Sequence, residues 1–309
     1  MRARLLKLTS LLSLLLLGGI VSSASAQVPT ATGRSIQMSN PAWKLFIPDS
    51  YVHAASVDLI VHFHGDDATF RNNVAYAKLN VVEVTVNYNG LSSAYSTPFQ
   101  DTTLFNTLLN ESLTRIRQQS DFADNINFGK VAVSSFSAGY GAVREILKQP
   151  AYYNRIDALL AADSLYASFT STSDHTPLDS QMVNYRQYAQ DASNGSKTFV
   201  FSHSQVPTGT YCETRECADD LMAFVGASPV ADSSHGLGTL DFYRFAKKGN
   251  FIVHGALGTD GDSHLEHLRY IGEFLKALPL STVPEPTSSL VSVAGLMLLL
   301  RRRRTSSTA

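Results

Sequence analysis

Cysteine occurs twice in 309 residues, charge of one sign does not predominate, and no apolar run reaches the length of a bilayer span. Two cysteines alone make a poor metal site, and no nearby pair of histidines completes one. With 25 Lys and Arg against 26 Asp and Glu, the formal net charge of -1 supplies no electrostatic case for nucleic acid. Charged residues make up only 17% of the chain and apolar ones 44%, which is too apolar for disorder and enough for a sizeable core. Internal repeats and low-complexity linkers are also missing. From Gln27 to Thr282 the sequence therefore reads as one domain of 27–282.

The two ends differ from that body. Residues 1–26 carry Arg2, Arg4 and Lys7, an apolar run from Leu11 to Val21, and Ala24-Ser25-Ala26 before Gln27. This order is that of a secretory signal peptide cut after Ala26, so an exported protein is expected. Residues 283–304 hold Val283-Pro284-Glu285-Pro286, an apolar run to Leu300 and the cluster Arg301 to Arg304, followed by a tail of 305–309. The apolar run of about 14 residues is short against the roughly 20 that a span needs. Pro-Glu-Pro, apolar segment and arginine cluster in this order resemble the PEP-CTERM sorting signal of exported bacterial proteins. The resemblance implies transient inner-membrane anchoring and an exosortase-type processing partner, with the arginines on the cytoplasmic side. A plain C-terminal membrane anchor predicts the same topology without cleavage.

Export also bears on Cys212 and Cys217, five residues apart in an oxidising compartment, where a local disulfide is expected. Such a bridge pins the loop ahead of a helix and does not hold the whole fold together.

Within the body, strand-like and helix-like patterns alternate. Trp43–Pro48, Val57–His64, Val81–Asn87, Lys130–Phe136, Ile156–Ala162, Thr198–His203 and Phe251–His254 read as strands. Helical spacing marks Leu104 to Ile116, Ala138 to Leu147, Ser180 to Ala192, Cys217 to Val225, and a last segment with Leu265, Leu268, Gly272, Leu275 and Leu278. This alternation predicts an α/β fold, a mostly parallel central sheet with helices on both faces. Chemistry in such sheets gathers beyond the carboxyl ends of the strands. Gly65, Ser137, Asp163 and His264 all fall there.

The most informative stretch is Lys130 to Gly141, where Val131, Val133 and Phe136 lead to Ser137 and small residues open a helix. Ser135-Phe136-Ser137-Ala138-Gly139 resembles the Gly-x-Ser-x-Gly nucleophile elbow of α/β-hydrolases, with serine in place of the first glycine. The resemblance extends in element order over nearly the whole body. It implies a serine esterase or lipase working through an acyl-enzyme, with no cofactor and an ester substrate, small or polymeric.

A hydrolytic serine needs a base, and the base needs a carboxylate. Carried over onto this chain, the nucleophile is Ser137 and the base His264, which follows the last strand after a Gly/Asp-rich loop, just before the final helix. His254 on a strand and His267 on the helix are weaker candidates. The acid is Asp163 at the end of the strand after the elbow, with Glu213, Asp260 and Asp262 as alternatives. The oxyanion hole combines the backbone N–H of Ala138 with one from the His64-Gly65-Asp66 turn, Gly65 or Asp66. His62, His64, Asp66 and Asp67 also admit a metal reading, but no third histidine follows at a useful spacing. Phe136, Tyr140, Tyr166 and Tyr211 are pocket candidates or core. The rival function is a non-catalytic surface binding or structural protein on a hydrolase fold.

Overall fold

The computed structural model describes residues 27–171 and 175–284. The leader at 1–26 and all but the first two residues of the sorting segment lie outside them. Among the described residues no helix is long and apolar enough to cross a membrane.

A ten-stranded sheet forms the centre. In chain order its strands are β1 (Gly33–Gln37), β2 (Trp43–Pro48), β3 (Ser56–Phe63), β4 (Val81–Val86), β5 (Asn127–Phe136), β6 (Ala158–Ala162), β7 (Thr198–His203), β8 (Val230–Ala231), β9 (Phe242–Lys248) and β10 (Phe251–Ala256). Their spatial order is β1-β2-β4-β3-β5-β6-β7-β10-β9-β8. The six strands from β4 to β10 run parallel, and antiparallel pairs close both edges. The mostly parallel sheet expected from the sequence is therefore present, along with three strands that the patterning did not reveal, β1, β8 and β9.

Period-two alternation explains how the sheet is covered. Val57, Leu59, Val61 and Phe63 of β3 enter one apolar cluster with Val131 and Val133 of β5 and Phe199 and Phe201 of β7. The intervening Ile60, Ala132 and Val200 enter a second cluster. The first is roofed by α2 (Ser92–Phe99), α3 (Leu104–Arg117), α4 (Tyr140–Leu147), α6 (Asp179–Ser193) and α7 (Thr214–Val225), which supply Tyr95, Leu108, Val143, Tyr188 and Leu221. The second lies under α1 (Asp67–Tyr76) and α9 (Gly272–Leu275), through Phe70, Val74 and Phe274. Between α4 and β6 lies the short α5 (Pro150–Arg155), with its proline in the first turn, where no N–H is needed. The last helical segment of the sequence divides into α8 (Gly261–Arg269) and α9.

The expected disulfide is not formed: no bridge joins Cys212 to Cys217, and both are buried. Glu213 caps α7, so the two cysteines occupy the positions just before the cap and four residues into the helix. Residues at these positions pack on one another as a hydrophobic staple. The Cys212 thiol donates to the His175 carbonyl at 3.3 Å, and burial pushes the Cys217 thiol well above its usual range.

Polar groups under the sheet make stability depend on pH. Burial lowers His62 and His203 to about 3 and His254 and His267 to about 4, so all four imidazoles are neutral in the fold. Below about pH 6.5 the unfolded chain takes up protons that the folded chain refuses, and stability falls with pH. Glu83 opposes them, since burial, against the weaker pull of Arg71, pushes its carboxyl up to about 8. The fold therefore holds a proton there that the unfolded chain releases above about 4.5, and this contribution fades as pH rises toward 8. Three groups net remain, roughly 4 kcal/mol per pH unit between pH 6 and 4.5 at most. Denaturant unfolding at pH 7, 6 and 5 is expected to show this steep loss; equal midpoints at all three would contradict it.

Candidate active site

Ser137 stands where β5 ends and a single turn of 3-10 helix, Ser137–Gly139, runs into α4. Its φ is +47°, a left-handed conformation that a serine adopts only when its surroundings impose it. Those surroundings are close backbone contacts. A Cβ on Gly139 would stand 2.2 Å from the Phe63 carbonyl oxygen, and one on Gly141 2.3 Å from that of Ser92. Glycine at these two positions lets the turn sit against β3 and α4 against α2. Ser135, in place of the usual glycine, fits fully buried with its hydroxyl unpartnered. Gly139→Ala is accordingly expected to lower the thermal midpoint by about 2–12 °C, the effect of about 1–3 kcal/mol of overpacking, in a melting experiment.

Asp163 follows β6 directly, with no exposed surface and a φ of +44°. Its Oδ1 accepts from the Ser204 N–H at 2.9 Å and from the Thr214 hydroxyl. Oδ2 accepts from the Ser204 hydroxyl at 2.7 Å and is 2.6 Å from Nδ1 of His264. Burial by itself would raise this carboxyl, but His267, His264 and the Thr214 hydroxyl more than offset it and hold the group far below the usual carboxylate range. An ionised Asp163 can only accept, so His264 donates from Nδ1 and Nε2 of the neutral ring is left with its lone pair.

His264 lies within the first turn of α8, not ahead of the helix as the Gly/Asp-rich loop suggested. The helix starts early because Asp260 caps it, accepting from the Ser263 N–H at 2.9 Å. The ring is packed 4.6 Å from that of Phe136, the residue before the serine. Ser137 and His264 line one cavity of about 710 Å³, although no hydrogen bond joins the two side chains.

On the other side, the backbone turns sharply after β3. His64 has a φ of +70° and Gly65 one of +124°, so the turn uses glycine where the conformation favours it. Asn87 donates to the Gly65 carbonyl at 2.7 Å. In a trans peptide the N–H of Asp66 then points the opposite way. Asp66 itself caps α1 through its carboxylate, which accepts from Thr69 N–H at 2.7 Å. The His64 imidazole is 2.8 Å from the Tyr95 hydroxyl, which also contacts Asn87 and the Tyr88 carbonyl.

Among the acids that competed for the role beside His264, Glu213 caps α7 and is paired with Arg215 at 2.8 Å. Asp260 caps α8, and Asp262 is paired with Arg269 at 3.0 Å. Of the other histidines, His267 is 2.8 Å from the Ser202 hydroxyl and His62 3.0 Å from that of Ser134, while His254 faces Phe242 and Phe245. Sequence patterning missed Ser204, Thr214 and Asn87, polar residues whose partners are remote in the chain.

No family model matches the sequence, and no curated protein does. Similar solved structures include the feruloyl esterase module from Clostridium thermocellum complexed with sinapinate, at 11% identity over 80% of this chain and 87% of that one, TM-score 0.44. A thermophilic carboxylesterase cloned from a metagenomic library matches at 12% identity, 82% and 89% coverage and TM-score 0.43. Ferric enterobactin esterase from Salmonella typhimurium matches at 11% identity over 82% of this chain and 61% of that one, TM-score 0.47. Likeness at this level carries nothing about chemistry, which rests on the residues of the site itself. Ser137, Asp163 and His264 follow β5, β6 and β10 in chain order.

Proposed function

We propose that the protein is an exported serine hydrolase that cleaves carboxylic esters through an acyl-enzyme. The observation that carries the reading is the 2.6 Å contact of the His264 ring with a buried, ionised Asp163, beside a cavity shared with a strained Ser137. In this reading His264 Nε2 takes the proton of Ser137 as its Oγ attacks the ester carbonyl. The tetrahedral oxyanion accepts from the Ala138 N–H and from the Gly65 or Asp66 N–H. Collapse breaks the bond to the alcohol oxygen, which leaves with the proton from His264. Water then attacks the acyl-serine, again giving its proton to Nε2, and the acid departs as the proton returns to Ser137. No metal or cofactor enters these steps.

A binding protein without this chemistry has one observation on its side, the missing Ser137–His264 hydrogen bond. Catalytic hydrogen bonds of empty sites often tighten only once substrate is bound. A fluorophosphonate probe separates the two readings. It is expected to label the wild-type protein and not Ser137→Ala; equal labelling of both sinks the hydrolase reading.

Export rests on the leader and on the Pro-Glu-Pro, apolar and arginine segments. Transient anchoring in the inner membrane and removal of the tail by an exosortase-type enzyme belong to the same reading. Secreted material is expected to begin at Gln27 on N-terminal sequencing; an intact Met1 terminus would overturn it.

A further inference from the structure

The cavity beside Ser137 contains a cation that the acyl transfer does not use. Arg144 lines it from α4, and among the described residues no ion pair engages it; the adjacent Glu145 is 2.7 Å from Lys148 instead. Arg144 Nη2 donates to the Tyr166 carbonyl, while Nε is buried with no hydrogen-bond partner. The guanidinium lies over the Tyr140 ring, 4.8 Å from its centroid. That ring begins an aromatic run along the cavity, Tyr140 to Tyr166 at 5.4 Å and Tyr166 to Tyr211 at 5.7 Å. Rings and a neutral carbonyl orient the cation without neutralising it. With Nη2 on the carbonyl and Nε buried, the donors of Nη1 remain for a carboxylate in the cavity that Arg144 lines.

We propose that the site takes esters that carry a second, free carboxylate, bound by Arg144, with the connecting chain or ring lying against the tyrosines. The proposal rests on the serine-hydrolase reading and adds its substrate class. Seven residues separate Ser137 from Arg144, about 10 Å along a helix, and a helical side chain leans back toward the N-terminus. The carboxylate therefore stands about one ring, or roughly four to six carbons, from the scissile carbonyl. Hemi-esters of dicarboxylic acids fit this description, and simple fatty-acid esters do not.

The test compares 4-nitrophenyl hydrogen glutarate with 4-nitrophenyl valerate, equal in acyl length and different in charge. In the wild-type protein kcat/KM is expected to be about 10- to 100-fold higher for the glutarate ester, the worth of a charge-assisted contact. Arg144→Gln is expected to collapse that ratio toward one, chiefly through KM, and Arg144→Lys to keep part of it. Because the readout is a ratio within each variant, an overall loss of folding does not imitate it. A wild-type ratio near one, with the valerate ester turned over, overturns the substrate class and leaves the hydrolase standing. If neither ester is turned over, calorimetry of glutaramate on Ser137→Ala decides: binding that Arg144→Gln abolishes supports the carboxylate site without the hydrolase, and no binding overturns the proposal.

Discussion

Ser137→Ala and His264→Ala are each expected to reduce kcat for a 4-nitrophenyl ester by about 10⁴ to 10⁶, and the double variant to be no slower than the worse single one. In the proposed mechanism the two side chains act as one device. The hydroxyl is a weak nucleophile until Nε2 can take its proton, and Nε2 has nothing to take once the hydroxyl is gone. The variants are expected to differ in stability. Among the described residues Ser137 Oγ makes no hydrogen bond, and the elbow is held instead by the Ser164 hydroxyl, which donates to the Ser137 carbonyl at 2.9 Å. Removing Oγ leaves that hold in place, so Ser137→Ala should melt within a few degrees of wild type. His264→Ala removes one of the four hydrogen bonds around a fully buried carboxylate. It should melt lower, by about 1–3 kcal/mol. Steady-state rates and thermal melts on the same preparations check both halves. A Ser137→Ala protein retaining activity within tenfold of wild type would end the hydrolase reading.

The elbow was legible in the sequence because its cause is local. A buried strand needs a run of β-branched residues, and a backbone so close that an added Cβ would stand 2.2 Å from a neighbouring carbonyl oxygen needs glycine; both are written within ten residues. The strands β2 to β7 were legible for the same reason, being apolar on both faces. β1 was not, since as an exposed edge strand it carries Gly-Arg-Ser-Ile-Gln and no apolar run. β9 alternates Phe-Tyr-Arg-Phe-Ala-Lys-Lys with a half-exposed face, which reads as a loop without its partner β10. The acid stayed ambiguous because what distinguishes Asp163 from Glu213, Asp260 and Asp262 is long-range. Ser204, Thr214 and His264 come to it from 41, 51 and 101 residues away. Its rivals are spent on local tasks, capping helices or pairing with an arginine. Asn87, which fixes the Gly65 peptide from 22 residues away, left no local signal at all.

Asp163→Asn is the sharpest check of the acid. An asparagine fills the same space but exchanges one acceptor oxygen for an NH₂ group. Oδ1 must still accept from the Ser204 N–H and the Thr214 hydroxyl, so the NH₂ is directed at the Oδ2 partners. The Ser204 hydroxyl can rotate and accept from it. His264 Nδ1 can do so only by giving up its own proton, which moves the ring to the tautomer protonated at Nε2. That nitrogen then cannot take a proton from Ser137. The expected result is a fall in kcat of about 10⁴ with little change in KM, because the cavity walls are untouched. Asp163→Ala should lose as much activity and fold less stably, by about 3–5 kcal/mol, since four donors would be left facing an empty interior site. Glu213→Gln and Asp262→Asn, whose carboxylates are paired with Arg215 and Arg269 and not with His264, are expected to stay within about threefold of wild-type kcat. Full activity in Asp163→Asn together with a large loss in Glu213→Gln would transfer the role to Glu213. It would also require α7 to move its cap toward His264, a rearrangement that crystallography of the inhibited enzyme would reveal.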